Sequence, residues 1–358
     1  MSDARRLLTL PALVAALAMA SALLAAPASA GTTSAGTTSA GTTGTDEAGA
    51  RGTVATSSSA SALDGPGKAD DCEPHAARLT AAAPAGIARP DGPSEATVRA
   101  YERDLRARLA RLGGPTSARG LIAGDVQPRT RKVKVFVHVL KPTQKAKRVS
   151  GRRIRKQIRV LNRAYAGRQW RRAENARFRF ELRDVDVTTN KSWYRAELGS
   201  RASKRMRRQL HRGGTRALNL YIGKPEAGGG MIVLGYASFP QKAAKRPRLD
   251  GVVIHRGSMR GGGIRGYNRG DTTVHEVGHW LGLYHTFHGG CSKRNDRVAD
   301  TPAEAVPSFR CPTNRDSCAA EGDDPVRNFM DYSFDSCMHH FTAGQIARMH
   351  DSWRAYRR

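Results

Sequence analysis

The segment HEVGHWLGLYH, His275 to His285, sets three imidazoles and one carboxylate at a spacing suited to a hydrolytic zinc centre. On a helix, His275 and His279 lie about 40° apart around the axis, one turn above the other. Two neutral imidazole nitrogens so placed can bind one ion at about 2.0–2.1 Å. Glu276 follows the first histidine, where a carboxylate beside the metal takes a proton from an activated water. Gly282 can adopt φ > 0, ending the helix and turning the chain so that His285 reaches the same ion. Three protein ligands leave a fourth position open for water, which marks catalytic rather than structural zinc. An ordinary amphipathic helix with spare histidines accounts for HExxH alone. It does not account for the glycine and third histidine at these offsets.

With a later methionine turn, HExxHxxGxxH is the metzincin pattern. Further segments resemble the pappalysin-like family of secreted metalloproteases, in its bacterial ulilysin-like branch. They are VVIH at 252–255, TVHEVGHWLGLYHTFHGGC at 273–291, ADTP at 299–302 and NFMDYSFDSCMHHFTAGQIARM at 328–349. The resemblance covers roughly residues 131–358. It implies a metzincin α/β (α+β) catalytic domain: a twisted five-stranded mixed sheet, an active-site helix and a loop-rich C-terminal subdomain stapled by disulfides. It implies further that Met330 forms an apolar floor under the metal and that Tyr332 donates to the oxyanion. A buried packing tyrosine is the rival reading of Tyr332, and an ordinary core methionine that of Met330.

Other implied features are finer. Gly235 to Ser238 resembles an edge strand on which an extended substrate backbone can pair. Asp335 resembles a pocket carboxylate that favours Arg or Lys after the scissile bond; an arginine-rich pro-segment is then a target for self-cleavage. Family members are calcium-stabilised, and the oxygen-rich loop holding Asp296, Asp300 and Thr301 suits Ca2+, although solvated loop acids are common. The family also implies disulfides Cys291–Cys318 and Cys311–Cys337. From the residues alone, the four clustered cysteines lack CxxC pairs and allow three pairings. His339 and His340 read as packing or surface residues.

Five cysteines fit an exported protein. Residues 1–30 read as a signal peptide: Arg5 and Arg6, an apolar stretch from Leu7 to Ala26, and Ala28-Ser29-Ala30 as the cleavage site. A membrane anchor is the alternative, but no charged stop-transfer cluster follows, so no anchor is expected after cleavage. Residues 31–68, with GTTSA repeats, read as a disordered spacer. Residues 69–129 read as a pro-segment, with a small accessory domain as the alternative, and 130–358 as the protease domain. Cys72 is the odd cysteine. A pro-segment thiolate can occupy the open zinc position and silence a zymogen, but DDCEPH does not match the matrix-metalloprotease switch. A free or intermolecularly paired thiol is the other reading.

The elements that must position the centre are legible from periodicity. Val98, Tyr101, Leu105, Leu109 and Leu112 form a helical stripe after Ser94, closed by Gly113-Gly114. KVKVFVHVL at 132–140 alternates as a strand, and further strands are expected near 177–187, 216–222, 232–239 and 250–255. Helices are expected at 150–166 and 200–212. The active-site helix should begin near Asp271-Thr272 rather than at a Thr273–Glu276 capping box, because Glu276 cannot both cap and face the metal. RGGGIRG at 260–266 lacks a GKS/T ending and is read as a flexible approach to that helix.

A formal charge of +29, from 60 Lys+Arg against 31 Asp+Glu, predicts non-specific attraction to polyanions. The arginines are scattered and no nucleic-acid motif accompanies them. A basic polyanion-binding protein with a vestigial metal site is therefore the weaker reading, since a binding module has no need of Glu276. A zinc hydrolase acting on something other than peptides is the second rival, and the edge strand favours peptides over it. Oligomeric state leaves no sequence signal.

Overall fold

The computed structural model describes residues 76–80, 92–116, 128–227 and 232–358. Six strands form one sheet: β1 Ala76–Leu79, β2 Arg131–Lys141, β3 Phe178–Thr189, β4 Ala217–Gly223, β5 Val233–Ala237 and β6 Val252–His255, in the order β1-β5-β6-β4-β2-β3. Strands β3, β2, β4 and β6 run parallel, β5 is antiparallel to β6, and β1 is antiparallel to β5. All five expected strands are present. The sixth, β1, corrects the expected count and comes from the segment read as pro-segment. Four residues, AARL, are too short to carry a period-2 signal, and their strand state rests on pairing with β5.

Helices α1 Glu95–Ala110, α2 Gly151–Tyr165, α3 Arg201–Leu210, α4 Asp271–Trp280 and α5 Ala343–Tyr356 complete the frame. Ser94, Ser150 and Ser200 cap the first three, each accepting a backbone amide through its side chain. In α2 the spacing of Ile154, Ile158, Leu161 and Tyr165 buries one face on the sheet, while its arginines stay outside. The main core joins β2, β4 and β6 to α2, α4 and α5 through Val135, Leu220, Ile254, Leu161, Val277 and Trp353.

Helix α1 is integrated into this body. Val98 and Tyr101 pack with Phe239 and Tyr284, and Leu105 and Leu109 pack with Ala355 and Tyr356 of α5. A buried ion pair between Arg348 of α5 and Glu102 of α1 reinforces the contact, with the Tyr284 hydroxyl donating to the same carboxylate at 3.1 Å.

Candidate metal centre and substrate cleft

Helix α4 starts at Asp271, as expected, but from Gly270 at φ 101°, with no side-chain cap of its own. Asp335 supplies the missing acceptor. Its Oδ2 takes the backbone amides of Arg269, Gly270 and Asp271 at 2.9, 3.0 and 3.3 Å, satisfying donors that a helix start leaves open. The helix is then buried along its whole length and presents His275 and His279 on one face.

The chain leaves α4 through Gly282 at φ +98°, where a Cβ would stand 2.2 Å from Ser352 Oγ. Both conformation and space require glycine there. The turn brings His285 back, and the three Nε2 atoms lie 3.0, 3.0 and 3.1 Å from one another. The centre of that triangle is about 1.8 Å from each nitrogen, just inside a Zn–N bond of about 2.0–2.1 Å, so a single ion can touch all three. The tautomers agree: His275 Nδ1 donates to Phe329 O at 2.7 Å and His279 Nδ1 donates to Leu283 O at 2.8 Å. Each leaves a lone pair on Nε2. Burial lowers the pKa of His275 strongly and that of His279 to about 3, keeping both neutral. Three converging buried lone pairs repel one another unless a cation sits among them. The residues fit zinc.

Met330 is fully buried and packs on α4 at Gly278. Its turn is latched to α5 by Asn328 and Gln345, whose amides exchange hydrogen bonds at 2.9 and 3.1 Å. Glu276 faces β5, where Gly235 leaves room: a Cβ there would meet Glu276 Cγ at 2.8 Å. Burial raises the Glu276 pKa well above the usual carboxylate range, opposed by the Arg78 charge and backbone amide. Neither carboxylate oxygen makes a direct hydrogen bond among the described residues. The Tyr332 ring lies 4.9 Å from that of His285, and its hydroxyl donates to the Ala77 carbonyl.

Strand β1 therefore lies along β5, the strand expected at the edge, with Ala77 opposite Tyr236 and Arg78 opposite Gly235, so that β1 itself takes the edge position. The Arg78 side chain is fully buried. Its Nη1 reaches Asp335 Oδ1 at 3.1 Å and Thr272 Oγ1 at 3.0 Å, while Nη2 donates to Ser333 O at 2.6 Å. Asp335 thus faces a guanidinium with one oxygen and holds the start of α4 with the other.

The family comparisons agree with this geometry. The peptidase M43 family model, described as pregnancy-associated plasma protein-A, matches residues 203–353. Extracellular metalloprotease 1 of Coccidioides posadasii is 42% identical over 231 residues, spanning 63% of this chain and 78% of that relative. The chain belongs to the pappalysin family of metzincin metalloproteases. A Neurospora crassa extracellular metalloprotease is 38% identical over 259 residues, covering 71% of this chain and 84% of its own length. Among solved structures, mature mirolysin of Tannerella forsythia in complex with a cleaved peptide superposes with TM-score 0.54 at 29% identity, covering 64% of this chain and 97% of that one. Promirolysin from the same organism gives TM-score 0.57 at 26% identity, covering 73% and 89%. This pappalysin is a secreted metalloendopeptidase, and its three-histidine cluster is a zinc site. Among the described residues no helix is long and apolar enough to cross a membrane.

The pappalysin disulfides are Cys291–Cys318 and Cys311–Cys337, with Cα atoms 5.4 and 5.8 Å apart. They tie down a C-terminal region with few regular elements. The loop expected to hold calcium receives no support. Asp300 is engaged by Thr342 Oγ1 at 2.7 Å and the Gly344 amide at 2.8 Å, serving the start of α5. Asp296 is buried with its pKa pushed up to about 8 by desolvation, and accepts the Val298 amide. Among the described residues, His275, His279 and His285 form the converging group of potential metal-ligating side chains, and neither aspartate joins one. His339 and His340 pack against Trp170, away from the zinc site. Cys72 lies outside the described residues. Arg78 and Gly235 carry roles that sequence reading missed; an arginine flanked by small residues in HAARLTA was the available signal.

Proposed function

We propose that this pappalysin hydrolyses peptide bonds with Glu276 as general base and Tyr332 as oxyanion donor, and prefers Arg or Lys immediately after the scissile bond. His275, His279 and His285 would hold the zinc ion, which when bound supplies Lewis acidity that lowers the pKa of a water toward about 7. Glu276 takes a proton from the attacking water and returns it to the leaving amine. The Tyr332 hydroxyl donates where negative charge develops on the carbonyl oxygen. Asp335, buried at the start of α4, offers a carboxylate to a basic side chain on the leaving side. The observation that carries this reading is the convergence of three buried Nε2 atoms, two of them on the helix that also carries Glu276. Pairing of Ala76–Leu79 on β5 favours a peptide over other hydrolysable groups.

Digestion of casein and of a peptide library, with and without chelator, tests the reading beside Glu276→Ala. Chelation should abolish cleavage. Glu276→Ala should lower kcat by at least about 10³-fold while zinc content persists. Basic residues should be enriched directly after the cut bonds, and a flat library profile there would remove the Asp335 assignment.

A further inference from the structure

Beside the start of α4 the surface opens into a cavity of about 610 Å3, within the range of about 300–1,000 Å3 usual for a ligand pocket. Lys156, Arg159 and Arg163 line it from the outer face of α2, and Arg260 and Arg269 from the loop before α4. All five are exposed, and among the described residues none of them forms an ion pair with a carboxylate. Neither α2 nor the loop at 256–270 contains an acidic residue. Arg159 and Arg163 stand four apart on the helix, like charges that weaken it unless an anion lies between them.

The floor does not neutralise this rim. Asp335 is committed to Arg78 through one oxygen and to three backbone amides through the other. Asp271 accepts from Gln169, and burial pushes its pKa up to about 7, so near neutrality it is only partly charged.

The cavity also adjoins the place where Arg78 sits. Asp335 and Met338 line it, and the same two side chains contact the Arg78 guanidinium at 3.1 and 3.6 Å. Tyr267, two residues before Arg269, covers that guanidinium with its ring centroid 5.1 Å from the central carbon, and its hydroxyl donates to Thr80 O at 3.3 Å. A strand lying on β5 as β1 does, with a basic side chain facing Asp335, therefore leaves the cleft past the loop that carries Tyr267 and Arg269.

We propose that this cavity is a substrate subsite for acidic side chains, taking Asp or Glu about two to five residues beyond the basic residue, the reach of a chain that advances about 3.3–3.6 Å per residue. The preferred sequence is then a basic residue after the scissile bond followed by an acidic stretch. This deepens the peptidase reading above and rests on it. A free polyanion would gain equally from the arginines scattered over the rest of the chain. A peptide held in the cleft is delivered to these five.

Three fluorogenic peptides test the idea with the active, zinc-loaded enzyme. They share one cut site before Arg and carry Glu, Gln or Lys at each of the four positions two to five residues beyond that Arg. The Glu peptide should show a KM at least about fivefold below that of the Gln peptide, with the Lys peptide poorest, and the gap should shrink between about 0.05 and 0.3 M salt. Arg159→Glu combined with Arg163→Glu, both on the exposed face of α2, should abolish the preference for Glu or turn it toward Lys. The salt series on the native enzyme decides the matter even if that variant misfolds. Equal kcat/KM for the Glu and Gln peptides, with cleavage still before Arg, would overturn the subsite while sparing the peptidase reading. Equal peptides together with heparin fragments retained by the native protein and lost by the double variant would assign the cavity to sulfated glycans and overturn it too. Hydrolysis of none of the three would sink both readings.

Discussion

The sulfur of Met330 packs directly on Gly278: a Cβ at that glycine would stand 2.4 Å from Sδ. The contact lies one residue before His279, so α4 and the turn carrying Met330 are fitted to each other. Gly278→Ala should cost about 1–3 kcal/mol through overpacking, offset by up to about 1 kcal/mol of better helix propensity. In a Met330→Ala background the same substitution should become neutral or stabilising. Thermal unfolding of the four zinc-loaded proteins measures the coupling, and an equal cost in both backgrounds would contradict the packing account.

Asp335 divides its two oxygens between two tasks. Oδ2 accepts three backbone amides at the start of α4, while Oδ1 faces the guanidinium of Arg78. Asn can keep the first task and lose the second, because its remaining oxygen can face the amides while its NH2 meets the cation. Asp335→Asn should therefore fold, yet lower kcat/KM about 10- to 100-fold for peptides with Arg after the scissile bond, the value of a charge-assisted hydrogen bond. Peptides with Leu there should change little. A uniform loss across both peptides would mean that Asp335 serves helix α4 alone.

These two contacts show where sequence reading succeeds and where it stops. The ligands His275, His279 and His285, with Glu276 and Gly282, sit within eleven residues, so their geometry follows from helical spacing and one turn. Strand β2 and helices α1 and α2 carry clear periodicity, whereas β4 and β5 are buried at every position and read as short apolar runs. The cap on α4 was invisible because Asp335 lies more than sixty residues downstream of Gly270, and no local pattern links them. Arg78 is 257 residues from Asp335. Strand β1 is defined by the edge it joins, and four residues show no period of their own. Pairing across such distances is a property of the folded sheet.

Besides its apolar packing, helix α1 should contribute to stability through Glu102. Burial opposes ionisation, but the Arg348 charge and the Arg348 and Tyr284 hydrogen bonds outweigh it, and the Glu102 pKa lies below its ordinary 4.5. A carboxyl with a depressed folded pKa adds stability above its unfolded value and loses it as pH falls through the folded one. Glu102→Gln should cost about 3 kcal/mol near pH 7, where Arg348 is left without a counter-charge. The gap to the native sequence should narrow as pH drops below 4.5 toward 3. Denaturant unfolding across that range measures it, and a gap independent of pH would argue that the pair is not ionic.

Asp271 has the opposite sign. Burial first, then the neighbouring Asp335 carboxylate, pushes its pKa up to about 7, and Gln169 Nε2 donates to it at 3.0 Å. Between its unfolded value of 3.8 and about 7, the folded chain holds a proton that the unfolded chain has released. Stability from this group is therefore full below 3.8 and declines as pH rises toward 7, by at most about 1.4 kcal/mol per pH unit. Above 7 the decline stops. Asp271→Asn keeps an acceptor for Gln169 and removes the titration, and it also relieves Asp335 of a like charge. In the Glu276→Ala protein this substitution should flatten the fall in stability between pH 5 and 7. Equal slopes with and without Asp271 would show that Asp271 does not titrate in this range.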